Sequence, residues 1–159
     1  MTPAGVPWLN QYNKPDTKQV KLWLHERGVR VRRTIKVAVG ELAEIDKNEA
    51  RKGVAPNFVH ACDAAHLLRT VNAAVAEGIT SIATVHDSFG CLASRAERFR
   101  KIIREELVRM YEEHDVLAEV LKQARADLGG ENTKRLPSAP PQYGSLDVKK
   151  VLSADFAFA

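Results

Sequence analysis

Thr84-Val-His-Asp-Ser-Phe-Gly-Cys91 is the stretch on which the reading of this chain turns. Ahead of it, Ile79-Thr-Ser-Ile-Ala-Thr-Val85 is short and rich in β-branched residues, the composition of a buried strand. Behind it, Phe89–Ala93 is a second short extended run, and an amphipathic helix follows. The two runs predict a hairpin with His86-Asp87-Ser88 exposed at a sharp turn. A carboxylate in that position is fixed by strand pairing on both sides, which suits a metal-binding aspartate. Hard cations such as Mg²⁺ take one or two carboxylates together with phosphate oxygens and water. Aspartate is also a favoured turn residue, so the residues alone leave open an Asp87 that only shapes the turn.

Upstream, the pattern predicts a helix from Asn57 to Glu77, with Pro56 at its first turn and Gly78 as its stop. Ala61, Ala64, Ala65, Leu68, Val71, Ala74 and Val75 recur at helical spacing and give its expected apolar face. His60, Asp63, Leu67 and Thr70 lie on a neighbouring face. The i,i+3 spacing lets the Asp63 carboxylate orient the His60 ring. Cys62 and His66 are also one turn apart, but no second ligand cluster supports a metal set here, and a polar helix face is the plainer reading. Earlier still, Ile45–Lys52 reads as a separate short helix ended by Gly53. Gln19–Leu24 and Val29–Val39 read as two strands of a meander around Glu26-Arg-Gly28, Asn13–Asp16 as a turn, and Trp8–Tyr12 as a short strand. The basic face of the second strand, with Arg30 and Arg32, reads as a solvated edge, with nucleic-acid contact as the alternative.

Downstream, Ser94–His114 reads as a helix with a capping box made by Ser94 and Glu97. Phe99, Ile102, Ile103, Leu107 and Met110 form its apolar stripe, and Arg98, Arg100, Lys101 and Arg104 its solvated face. Asp115 caps a further helix that runs to Leu128 and closes at Gly129-Gly130. Leu136–Gly144 is too rich in proline for helix. A last short helix starts at Ser145 or Asp147 and ends near Leu152. The chain finishes Asp155-Phe-Ala-Phe-Ala159, and apolar residues in a terminal segment predict that it docks.

The 159 residues suit one domain with a real core. A net charge of +4 permits a nucleic-acid partner without demanding one. The two cysteines, Cys62 and Cys91, have neither CxxC nor zinc spacing and read as thiols in a reducing compartment. No apolar run approaches the ~20 residues of a membrane helix. Met1-Thr-Pro-Ala-Gly-Val-Pro7 has neither the basic nor the apolar region of a signal peptide, and reads as a chain entered part-way. There is no glycine-rich phosphate loop, and no Ser-His-Asp set can be argued.

Three stretches together resemble the phage-type single-subunit DNA-dependent RNA polymerases. His86-Asp-Ser-Phe-Gly90 is similar to their palm motif. Ala55-Pro-Asn-Phe-Val-His60, followed by Asp63 and His66-Leu67, is similar to the segment that precedes it, and Asp155–Ala159 to the family's terminal sequence. The resemblance covers nearly the whole chain but only the C-terminal part of the family's length. It implies an α+β fold in which a small antiparallel palm-type sheet, with a catalytic strand-turn-strand hairpin, packs against several helices. The expected organisation is a strand meander over residues 1–44, a palm segment over 45–128, and a linker, short helix and docking tail over 129–159.

The resemblance also implies a chemistry. Nucleotidyl transfer in that family uses two Mg²⁺ ions, with Asp87 as a catalytic, metal-binding residue. His60 is expected beside the nascent base pair, where it contacts ribose and minor groove. His86, Asp63 and a folded-back Phe158-Ala159 are expected in support. The family's second metal-binding aspartate, and the lysine, arginine and tyrosine that meet the triphosphate, lie upstream of the matched region. The implied partners are a DNA template, the RNA product, ribonucleoside triphosphates and the N-terminal part of the polymerase, without which the chain is expected to be inactive. The implied location is the cytoplasm, that of the host if the chain is phage-encoded, with no membrane. A DNA polymerase relative shares a His-Asp turn, but Ser88 in place of an acidic residue after Asp87 argues for the RNA enzyme. The Phe156-Ala-Phe-Ala159 ending favours the phage over the mitochondrial branch. A reading of another class is a non-catalytic remnant of the palm that binds nucleic acid or a partner protein; the reading frame upstream of Met1 separates the two.

Overall fold

A computed structural model describes residues 1–157 of the chain, with the side chains of residues 130–132 left aside. The fold is mixed α+β; among the described residues there are two separate two-stranded antiparallel sheets and three α-helices. The chain divides into two compact units, Leu9–Asn57 and Met1–Trp8 with Phe58–Ala159.

In the smaller unit, strands β1 (Asn13–Glu26) and β2 (Val29–Ile45) form one long ladder. They are joined by Arg27 and Gly28, both at positive φ (50° and 82°). Two left-handed residues in succession match the right-handed twist of a two-residue hairpin. The strands run well past Gln19–Leu24 and Val29–Val39, and the expected Asn13–Asp16 turn is instead strand with irregular register. The guanidinium of Arg30 lies 4.7 Å from the centre of the Trp23 ring and that of Arg32 5.9 Å, so the basic face is partly stacked on an aromatic.

Two expectations fail together in the next segment. Trp8–Tyr12 forms no strand, and Gly53 does not end a helix. Helix α1 instead runs unbroken from Lys47 to Ala76, through Gly53 and Pro56. Asp46 caps it by accepting from the Asn48 and Glu49 amides. Asn57 donates to Asn10 (2.9 Å) and to the Tyr12 hydroxyl (3.1 Å), and Asn10 donates to the Ala50 carbonyl. A Cβ on Gly53 would stand 2.4 Å from the Tyr12 hydroxyl. Gly53 is therefore the gap into which Tyr12 packs. These bonds offset the ~1 kcal/mol that glycine, and the ~3 kcal/mol that proline, cost a helix interior.

In the larger unit α1 stops as expected. Gly78 adopts φ 78°, and the Ile79 amide returns to the Ala74 carbonyl. Strands β3 (Ile82–Val85) and β4 (Ser88–Cys91) then pair, and helices α2 (Ala96–Glu113) and α3 (Val116–Leu128) follow. A core of Ala74, Ile79, Phe99, Ile102 and Ile103 receives Ile82, Phe89 and Cys91 from the hairpin. Asp115 caps α3 as expected, accepting from the Ala118 amide, and it also accepts from the Tyr143 hydroxyl at 2.6 Å. The linker beyond is strapped to α3 by Arg125, which donates to the Pro137 and Ser138 carbonyls. The last short helix is capped by Asp147, as expected, which accepts from the Lys149 amide, and it is 3₁₀ over Val148–Leu152.

Three sequence readings of the helices are corrected. The buried face of α1 is Cys62, Ala65, His66, Thr70 and Ala74, while Leu68 and Val75 are exposed. The face is turned because His66 reaches the Ile103 carbonyl (Nε2 to O, 2.8 Å) and Arg69 bonds Glu106 and Glu113, all on α2. Ser94 does not cap α2; it lies in a 3₁₀ turn (Ala93–Arg95), and the helix starts at Ala96 with no side-chain cap. The basic face of α2 is only partly solvated: Arg100 and Lys101 are exposed as expected, but Arg98 bridges Glu77 and Glu105, and Arg104 is buried.

Candidate active site

The site is built on the β3–β4 turn. Ile82 pairs with Cys91 and Thr84 with Phe89, so alternation sends Ile82, Phe89 and Cys91 inward. The Phe89 ring lies between those of His66 and Phe99, each 6.0 Å away. That staple fixes the base of the hairpin on α1 and α2. Only the two-residue tip, His86-Asp87, is free of pairing, and Ser88 pairs with Val85. His86 has φ 53°, a conformation uncommon for residues with a side chain and concentrated at functional turns.

The turn delivers Asp87 to solvent, with 74% of its side chain exposed. His86 Nδ1 lies 3.5 Å from the Asp87 carboxylate and 3.9 Å from that of Asp63 on α1. The His60 ring stands edge-on to that of His86, with centres 6.2 Å apart. Asp87, His86, Asp63 and His60 are thus one cluster, joined through the His86 ring. Asp63 and Asp87 also line an open cleft of about 820 Å³, with His66, Phe99, Arg100 and Ala157 among the other walls. Tyr111 stands close to the same face of α1: burial pushes its hydroxyl pKa up, and the charges of Cys62 and Asp63 add to the rise. Burial likewise raises the Cys62 thiol.

The cluster does not make a metal site alone. Among the described residues, no group of three His, Cys, Asp or Glu side chains converges closely enough to hold an ion. The grouping of Cys62 and His66 with His60 and Asp63 fails because Cys62 is buried and His66 is engaged by the Ile103 carbonyl. Asp87 fits a hard cation as one exposed carboxylate of a larger ligand set. Phe158 and Ala159 lie outside the described residues. The segment before them is held through its main chain: Arg104 donates to the carbonyls of Ala154 and Asp155, and Arg100 to that of Asp155. Phe156 is 94% exposed, so its ring does not dock. The roles of Arg100 and Arg104 escaped the sequence reading because arginine beside an apolar stripe ordinarily faces water; for Arg104 the signal is the four-residue step to buried Val108.

A family model for DNA-dependent RNA polymerase matches residues 1–138. The chain belongs to that family. It is 35% identical over 161 residues to the DNA-directed RNA polymerase of Enterobacteria phage K11, and 37% identical over 160 residues to the T7 RNA polymerase of Escherichia phage T7. Each alignment takes in 100% of this chain but only 17% and 18% of the relative, so the chain spans about a sixth of these polymerases. It is also 31% identical over 159 residues to a Nicotiana tabacum DNA-directed RNA polymerase 1A, covering 99% of this chain and 92% of that one. Among the described residues, no helix of this polymerase segment is long and apolar enough to cross a membrane.

Proposed function

We propose that this chain is the C-terminal, palm-hairpin part of a phage-type DNA-directed RNA polymerase, and that Asp87 is one of two aspartates that hold the catalytic Mg²⁺. The observation that carries the reading is an aspartate carboxylate exposed at the tip of a hairpin whose base is locked into the core. A ligand on such a mount keeps its place while substrates come and go. When bound, paired Mg²⁺ ions favour ionisation of the attacking 3′-hydroxyl and steady the pyrophosphate leaving group.

The remaining roles belong to this chain's side chains. Asp63 and Asp87 flank His86, so the imidazole is oriented from both sides and in turn supports His60. His60 contacts the ribose and minor groove of the nascent pair. The second carboxylate and the triphosphate-binding side chains come from the rest of the polymerase; among the described residues no group of three His, Cys, Asp or Glu side chains could hold an ion unaided. DNA template, RNA product and ribonucleoside triphosphates are the partners, and host cytoplasm is the place of action.

Nucleotide incorporation on a primed template with Mg²⁺ is the test. The purified chain alone should give only background. With the upstream polymerase part supplied, incorporation should appear, and Asp87→Asn should reduce it by about 10³-fold, the scale of losing one preorganised electrostatic group. Template binding should be unchanged. Turnover that survives Asp87→Asn would overturn the role of Asp87 and leave the non-catalytic remnant as the better description.

A further inference from the structure

Arg104 is a buried cation without an acid. It is 5% exposed, and among the described residues no carboxylate pairs with it. Nη1 donates to the Ala154 carbonyl and Nη2 to the Asp155 carbonyl at 3.4 Å, while Nε has no partner. Arg100, one turn earlier on α2, donates to the same Asp155 carbonyl at 3.2 Å. A charge removed from water is costly unless its donors find acceptors. A planar guanidinium can span two neighbouring carbonyls in a way that an ammonium cannot. Both acceptors are main-chain atoms, so the grip is on the path of the tail and not on its side chains. The Phe156 ring does not share the task, since it is solvated. Two residues past the clamp, Ala157 enters the wall of the cleft that also holds Asp87.

We propose that Arg104, with Arg100 in support, is a positioning residue for the polymerase reaction: it fixes residues 154–157 against α2 so that they form one wall of the cleft at Asp87. Arg104 touches neither substrate nor metal. It acts through the tail, and the proposal rests on the active-site reading of Asp87. Replacing the guanidinium by an apolar group of similar length should remove the clamp without harming the core, because a buried charge contributes little net stability.

Hydrogen exchange of the 159-residue chain reads the clamp directly. Arg104→Met should speed exchange at the Ser153 amide, which donates to the Lys150 carbonyl at the root of the tail, by about tenfold or more while leaving the melting temperature within about 2 °C, a local opening and not a global one. In the polymerase assembled from this chain and its upstream part, kcat should fall about tenfold with KM for nucleotide unchanged. Deleting residues 154–159 should give the same loss, and the double variant no more than either. Arg104→Lys should fall between wild type and Arg104→Met. Unchanged tail exchange, or losses that add to those of the deletion, would overturn the proposal. If Arg104→Met fails to fold, Arg104→Lys and Arg100→Ala decide: faster tail exchange at an unchanged melting temperature sustains the clamp, and unchanged exchange refutes it. Asp87→Asn is the control. It should cut turnover by about 10³-fold without altering tail exchange, so failure of the Asp87 reading and failure of the clamp give different results.

Discussion

At the scale of the residue, His86 is the pivot of the site. Its positive φ turns the chain so that Asp87 faces water, and its ring stands between two carboxylates and against His60. His60 itself is exposed, so its removal should leave folding nearly intact. His60→Ala is expected to lower discrimination between ribo- and deoxyribonucleotides by about tenfold, equivalent to ~1.4 kcal/mol. Competing the two nucleotide types in an incorporation assay, beside a thermal melt of the variant, checks this. A large fall in melting temperature with discrimination kept would make His60 a packing residue.

At the scale of the element, the β3–β4 hairpin depends on one side to hold it. Its inward residues Ile82, Phe89 and Cys91 meet the core, whereas Val85 and Leu92 remain exposed. Two strands with a single covered face are marginal without such packing. Phe89 is the largest of the three, with its ring between those of His66 and Phe99. Phe89→Ala should cost about 2 kcal/mol, below the range for a fully buried phenylalanine because Phe89 is only half-buried. Urea unfolding of the isolated chain measures that loss. Hydrogen exchange at Val85–Ser88 should rise more than at α2, since the hairpin loses its staple while the helix keeps its core. Helix α1 shows the opposite balance: contacts from Asn10, Tyr12 and Asn57 override local signals that read as a break.

At the scale of the whole molecule, ion pairs and capping bonds tie distant segments together, and they set the response to pH. The Arg98 guanidinium lowers the Glu77 carboxyl, Arg69 lowers that of Glu113, and the Tyr143 hydroxyl with the Ala118 amide lowers that of Asp115. Each folded pKa lies below its unfolded value. The stability they contribute is therefore fully present above the ordinary carboxylate range, near pH ~4, and is lost as pH falls through the depressed values. The contribution of these contacts should be constant from about pH 7 to pH 5, and the melting temperature should drop below about pH 4. Tyr143→Phe should flatten part of that drop, because it removes the leading cause of the Asp115 shift. On the alkaline side the sign reverses: Asp115 raises the Tyr143 hydroxyl, so that contact is complete below the usual tyrosine range and is lost as pH rises through the folded value. Melting curves across pH for both proteins decide it.

What the sequence by itself determined is local. Strand composition around His86-Asp87, Gly78 and Gly129 as helix stops, Asp115 as a cap, and a proline-rich linker without helix are all set within a few residues of where they act. The family could be read for the same reason, since its motifs are short runs of side chains that must stand together. What only the tertiary structure decided involves partners far along the chain. Gly53 reads as a stop until Tyr12, forty-one positions earlier, fills its place. The buried face of α1 follows from bonds that His66 and Arg69 make to α2, not from apolar spacing. Arg104 reads as a surface charge until the Ala154 and Asp155 carbonyls, fifty residues on, meet its guanidinium. In each case a long-range hydrogen bond or a close contact outweighs a local preference of about 1 kcal/mol, and no window along the sequence contains both partners.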